Sequence, residues 1–340
     1  MAARGLSCVL IAGCALLAAA AIGCGQTSSL VPRSGFELRL GREHPLTGRV
    51  FHPASDSFVS AERLYSEADA AQFLLLGETH DNPDHHRLQA ALVESYLTHH
   101  SAAKLGFEML DQRATEVLAR HAFTTPDQLA EQVAWQDSGW PAFALYRPIF
   151  SVALARHAEL IAAHPNAENV RASMHALPPD EVRSLRLEPP LPAAEIQAQL
   201  AEIREAHCGH APEAMATAMQ RAQTYKDAFM ARALIRTGAP AVLIAGRGHV
   251  RADRGVPSYL RRHSTARVLS VAFIDVAEGR TQPGAYDLGA FDFVVFTPRV
   301  SDEDPCEQFR KQLQQMRSHS TTSSNERSTT PASHAFAPSS

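Results

Sequence analysis

The chain has 340 residues, and 32 Lys plus Arg stand against 36 Asp plus Glu, giving a formal net charge of −4. That balance, with no Lys/Arg-rich run, excludes a basic nucleic-acid-binding surface, and no nucleic-acid partner is expected. A composition of 45% hydrophobic and 20% charged residues excludes a wholly disordered chain, and the length suffices for one sizeable core with or without a smaller helical appendage. Histidine is in excess at 17 residues, so the places where histidines cluster carry the first interest.

The first element is an export signal. Arg4 supplies a positive start, Leu6 to Ile22 is apolar or small without a charge, and Ala21-Ile22-Gly23-Cys24 precedes a polar stretch. The Cys after Ile-Gly is similar to a bacterial lipoprotein box, with residues 1–23 removed and Cys24 lipidated. Ile11-Ala12-Gly13-Cys14 fits the same pattern, but cleavage there leaves Ala15 to Ile22 as an apolar stretch on the mature chain, so Cys24 is preferred. The competing expectation is a retained anchor, for which about 17 residues is at the low end. Cell-envelope location and membrane attachment through the lipid follow. Residues 24–35 read as a tether, 36–315 as the folded domain and the Ser/Thr/Pro-rich 316–340 as a disordered tail.

Short apolar runs then recur. Phe73-Leu74-Leu75-Leu76 predicts a strand ending at Gly77, and Lys104 to Glu108 a weaker one. Asn82 as cap, Pro83 at the first helical position and the stripe Leu88, Leu92, Val93, Tyr96 predict a helix between them. Leu160 to Ala163 is ambiguous between strand and helix. Met215 to Ile235 predicts a long helix. Ala241 to Ala245, Val268 to Ile274 and Phe291 to Phe296 predict three further strands. Strands alternating with helices give an α/β fold, with a mainly parallel central sheet covered by helices on both faces. Ala114 to Pro148 and Leu177 to Ala211 lack strand signals and are candidates for a helical subdomain or lid.

Three of these strands run into polar or Gly-containing segments: Gly77-Glu78-Thr79-His80-Asp81-Asn82, Gly106-Phe107-Glu108-Met109 and Gly246-Arg247-Gly248-His249. Sites in open parallel sheets gather at the carboxyl ends of strands. The topology therefore predicts Glu78, His80, Glu108 and His249 on one rim, as a divalent-metal set or as acid/base groups. The plainer expectation is that such groups only cap and pair. His85 is placed to face inward, whereas solvent exposure is the simpler expectation for His86. Trp135 to Phe150 holds both tryptophans and offers a pocket for a flat apolar ligand: Trp140 and Phe143 as walls, Arg147 for a carboxylate, and Tyr146 able to ligate ferric iron as phenolate. A small hydrophobic cluster under a loop is the alternative. Cys208 and Cys306 are the thiols left after cleavage at Cys24; a disulfide is favoured over free thiols or a metal site with His207 and His210.

At these residues the chain resembles the ChaN-like haem-binding lipoproteins of the haem-binding-uptake and Tiki superfamily. The matching pieces are Leu75 to Asn82 with His85-His86, Gly106 to Met109, Trp140 with Tyr146-Arg147-Pro148, Cys208-Gly209, Asp227 with Met230-Ala231, and Ala245 to Arg251 closing with Gly255-Val256-Pro257. The resemblance implies two G-x-x-H motifs, Gly77 to His80 and Gly246 to His249. Related metalloproteases use such motifs for a divalent metal, and related esterases use similar residues to activate water. It also implies haem-iron uptake by a lipid-anchored homodimer that holds two haems face to face, with a tyrosine on iron. Tyr146 is the candidate ligand, and Trp140, Phe143, Arg147 and His85 complete the cofactor set. Arg247 and His164 depart from the family pattern, where Asn is expected at both. The leading expectation is non-covalent haem binding for uptake or handling, and the alternative is a metal-dependent peptidase or esterase.

Overall fold

The computed structural model describes residues 33–310 other than 121, 122, 305, 308 and 309. The signal peptide, Cys14, Cys24, most of the tether and the 316–340 tail lie outside the described residues. Among the described residues, no helix is long and apolar enough to cross a membrane.

Eight strands form one sheet: β1 (Val50–His52), β2 (Ser57–Val59), β3 (Phe73–Glu78), β4 (Lys104–Asp111), β5 (Leu160–His164), β6 (Ala241–Gly246), β7 (Val268–Asp275) and β8 (Phe293–Thr297). Their spatial order is β2-β1-β8-β7-β3-β6-β4-β5. β8 through β5 are parallel, and β1 and β2 join antiparallel at one edge. This is the mainly parallel α/β sheet that the sequence predicts, and Leu160–His164 resolves as a strand. The antiparallel hairpin is an addition; three-residue strands carry too little periodicity to be read from sequence.

Among the described residues, ten α-helices complete the fold: α1 (Ala61–Asp69), α2 (Pro83–His99), α3 (Ala114–Arg120), α4 (Pro126–Gln132), α5 (Phe143–Ala155), α6 (Ala167–Ser173), α7 (Pro179–Ser184), α8 (Ala193–Ala206), α9 (Glu213–Thr237) and α10 (Val256–His263). The strand period of two divides the apolar side chains between two cores. Leu74, Leu76, Leu105, Phe107 and Ile244 pack with α1, α2 and α5 on one face. Phe73, Leu75, Leu243, Ala245 and Phe296 pack with α9 and α10 on the other. Burial on both faces explains why these strands read as continuous hydrophobic runs.

α2 starts as its sequence dictates: the Asn82 side chain accepts from the amides of Asp84 and His85 at 2.9 and 3.3 Å, and Pro83 opens the helix. Cys208, between α8 and α9, forms a disulfide with Cys306 across 98 residues. Closing a loop of that size stabilises a fold by up to about 4–5 kcal/mol through the unfolded state.

β3 and the turn after β6 meet at Gly77. A β-carbon there would stand 2.8 Å from the Arg247 Cα, a backbone atom that cannot yield as a side-chain tip can. Gly77→Ala is therefore expected to lower stability by at least ~2 kcal/mol through overpacking, measured as a fall in the denaturant midpoint at unchanged slope.

Candidate functional site

Register sets the rim. Glu78 at the end of β3 lies opposite Gly246 at the end of β6, and β6 lies between β3 and β4. Residues from the first and last motifs thus become neighbours. The His80 ring carbon and nitrogen (Cε1 and Nε2) both lie 3.1 Å from the point where a Gly246 β-carbon would stand, and Glu108 Oε2 lies 3.6 Å from it. Gly246 is a glycine because that space belongs to His80 and Glu108.

Two carboxylate–imidazole groups meet there. In the first, Glu78 is buried; its Oε1 accepts from the Tyr146 hydroxyl at 2.9 Å and pairs with His80 Nδ1 at 3.0 Å. His86 Nδ1 approaches Glu78 Oε2 at 3.0 Å, at an angle poor for a hydrogen bond, so the contact is chiefly electrostatic. Burial pushes the Glu78 carboxyl up, but attraction to His86 and the hydrogen bond with His80 outweigh it and hold it at about 2. In the second group, buried His249 sits between two carboxylates: Nε2 is 3.0 Å from Glu108 Oε1, and Nδ1 is 2.5 Å from Asp227 Oδ1. Burial pulls the His249 pKa down, yet Glu108 and Asp227 together raise it to about 9. Glu108, which also accepts the Gly246 amide at 2.7 Å, is held well below the carboxylate range by His249 against the effect of burial. Burial raises Asp227 despite His249, so Glu108 is the stronger anion of the two.

His80 is the open member. Its side chain is 34% exposed, Trp140 packs edge-on against it at 4.9 Å, and its pKa is raised because hydrogen bonding to Glu78 and attraction to Glu108 overcome burial. An imidazole oriented by a carboxylate can take a proton from a hydroxyl or a water.

The predicted quartet Glu78, His80, Glu108 and His249 does share one rim. It is not arranged as a divalent-metal centre: among the described residues no three His, Cys, Asp or Glu side chains surround a common cation position. The physical reason is that the donors are spent on each other. His85 faces inward, as its spacing predicts, with both ring nitrogens engaged inside the fold. It is fully buried, accepts the Thr79 amide on Nδ1 at 2.9 Å and bonds Thr297 Oγ1 at 2.7 Å, which fastens the turn after β3 to the end of β8. Burial drives its pKa well down. His86 is likewise buried, not exposed, and its Nε2 bonds the His80 carbonyl at 3.1 Å.

The Trp-containing segment folds into an aromatic cluster, the alternative to a ligand pocket, with Trp135 against Phe143 at 5.2 Å and against Tyr146 at 5.1 Å. Tyr146 is buried with its hydroxyl on Glu78; burial and that carboxylate raise its pKa far above the phenol range, which opposes a phenolate. Arg147 makes a two-point pair with Asp127, both contacts at 2.6 Å, and does not line the adjoining cleft.

That cleft, about 580 Å³, lies over the ends of β4 and β5, bounded by Glu108, Met109, Val117, Trp135, Trp140 and His164. His164 is the residue that sequence reasoning noted without assigning. Its Nδ1 is 2.6 Å from the Pro165 carbonyl, and burial lowers its pKa to about 4. Asp227, which the sequence marks through the family resemblance without giving it a role, lies on the sheet-facing side of α9 among Tyr225, Ala228, Ala231 and Leu234.

The sheet order and the paired carboxylates and imidazoles define an α/β protein whose site lies at the carboxyl edge of a parallel sheet. Residues 64–260 match the family described as Haem-binding uptake, Tiki superfamily, ChaN, and the chain belongs to that family. Among solved structures it is similar to ChaN of Campylobacter jejuni with cofacially bound haem, at 19% identity and a TM-score of 0.61, covering 72% of this chain and 95% of that one. A likeness at that identity establishes the shared fold. The type III effector HopBA1 (12% identity, TM-score 0.39, 78% and 98% coverage) and an open-conformation mutant of the erythromycin esterase EreC (15%, 0.39, 73% and 81%) are more distant. No curated protein matches the sequence.

His249 sets a pH dependence. A raised imidazole pKa contributes stability fully present below 6.5, and that contribution is lost as pH rises through about 9. His80, also raised, acts in the same direction. Unfolding free energy is expected to fall by up to ~3 kcal/mol across that window. Urea titrations at a series of pH values should show that slope, and His249→Gln should remove most of it.

Proposed function

We propose that the protein binds haem non-covalently in the cleft over β4 and β5, and that it does so in the cell envelope for iron uptake or haem handling. The observation that carries this reading is the cleft itself. Its volume of about 580 Å³ falls in the range of small-molecule sites, and two tryptophans and Met109 give it flat, apolar, polarisable walls. The residues fit the group. Arg113 at the cleft is exposed and can meet a propionate, though it now pairs with Asp111 at 2.6 Å. Bound haem supplies an iron with open axial positions and two carboxylates; the chain supplies the walls, a cation and an imidazole.

Family membership supports the same reading, and so does the cofacial haem of the Campylobacter jejuni relative. By extension, two copies of this chain stack their haems face to face. The export-signal pattern and the Cys24 lipobox support attachment to a membrane, and the Cys208–Cys306 disulfide accords with an oxidising compartment.

Titration of the purified protein with haemin should shift the Soret band to a stoichiometric end point. Trp140→Ala should weaken binding about tenfold, roughly the ~1.4 kcal/mol expected when an aromatic wall is lost. No spectral change in the wild type would remove the proposal. For the anchor, Cys24→Ser expressed in a bacterium should abolish labelling by a fatty-acid analogue and release the protein from the membrane fraction; unchanged labelling would point to Cys14.

A further inference from the structure

We propose that His164, and not Tyr146, is the side chain that ligates iron when haem occupies the cleft; this rests on the haem reading above.

Position comes first. His164 is the last residue of β5, the outermost strand on its side of the sheet, and it pairs in register with Asp111. Its ring lines the cleft together with Met109, Trp135 and Trp140. An iron ligand must stand at the face of the macrocycle with an atom free to coordinate, and His164 stands among the apolar walls that such a ring would contact.

The tautomer comes second. Nδ1 lies 2.6 Å from the carbonyl oxygen of Pro165, and only an N–H donates to a carbonyl. The proton is therefore on Nδ1, and the lone pair is on Nε2. Among the described residues no hydrogen bond engages Nε2. A ligating imidazole commonly has this arrangement, with its second nitrogen tied to a backbone carbonyl that fixes the ring and raises its basicity.

The competitors are committed elsewhere. The Tyr146 hydroxyl is buried and donates to Glu78 at 2.9 Å, so coordination would require breaking that bond and leaving a carboxylate short of a donor. His80 Nε2 faces the backbone of Gly246, and His80 is not among the cleft residues. His85, His86 and His249 are buried in pairs of their own.

The test is haem binding to the full-length chain and to His164→Ala, His164→Met and Tyr146→Phe, followed by absorption and electron paramagnetic resonance. The expected result is a wild-type spectrum of nitrogen ligation. His164→Ala should lower affinity at least tenfold and change the Soret and visible bands, and added imidazole should restore them. His164→Met should give a distinct spectrum, which separates ligand exchange from misfolding. Tyr146→Phe should leave the bands in place. Wild-type binding with bands lost in Tyr146→Phe but unchanged in both His164 variants would overturn the assignment while leaving haem binding intact. A wild-type protein that takes up no haem would overturn both.

Discussion

The pairing of β3 with β6 is the constraint on which the rest of the molecule depends. Strand register places Glu78 opposite Gly246, and the two strands come from parts of the chain more than 160 residues apart. Without that pairing, Glu78 and His80 would have no relation to Glu108 and His249. The close approach at Gly77 and the shared space at Gly246 show how tightly the two turns are fitted. Small side chains at these two points let charged ones sit together above them.

Charge taken out of water must be matched inside the protein. The rim does this with two sets that differ in character. Around His249, two carboxylates hold one imidazolium, so a positive centre is locked in place. Around Glu78, one carboxylate is shared by Tyr146, His80 and His86, so a negative centre is locked in place. Each group fixes the ionisation of the other members of its set. That internal satisfaction leaves the adjoining cleft with aromatic surface and His164 among its lining groups.

Much of this was legible in the sequence for a physical reason. Strands buried on both faces announce themselves as apolar runs, which is why β3, β6 and β7 are plain from Phe73, Ala241 and Val268 onward. Asn82-Pro83 announces the start of α2 through cap chemistry. The gathering of Glu78, His80, Glu108 and His249 follows from strand-end logic alone. Other features depend on partners that a linear reading cannot supply. Tyr146 reads as an iron ligand until its hydroxyl is found on Glu78, and Arg147 as an anion binder until Asp127 is found beside it. His86 reads as exposed because one turn of helix does not show what lies over it. Asp227 is marked by the family resemblance, but its role as the second carboxylate on His249 shows only in the fold. The hairpin of β1 and β2 is simply too short to register.

The wall of the cleft has a mechanical property of its own. The described residues of 112–142, which carry α3, α4 and both tryptophans, contribute no strand to the sheet. They rest on the ends of β4 and β5 through side-chain packing, without ladder hydrogen bonds. Displacing this segment would cost apolar contacts, the Asp127–Arg147 pair and the hydrogen bonds that Gln112 accepts from Asn166 and Asn169, but no strand pair, whereas displacing Glu78 or His249 would disrupt the sheet at its centre. One flank of the cleft is thus held by side chains alone, and the charged rim on the other flank by strand register.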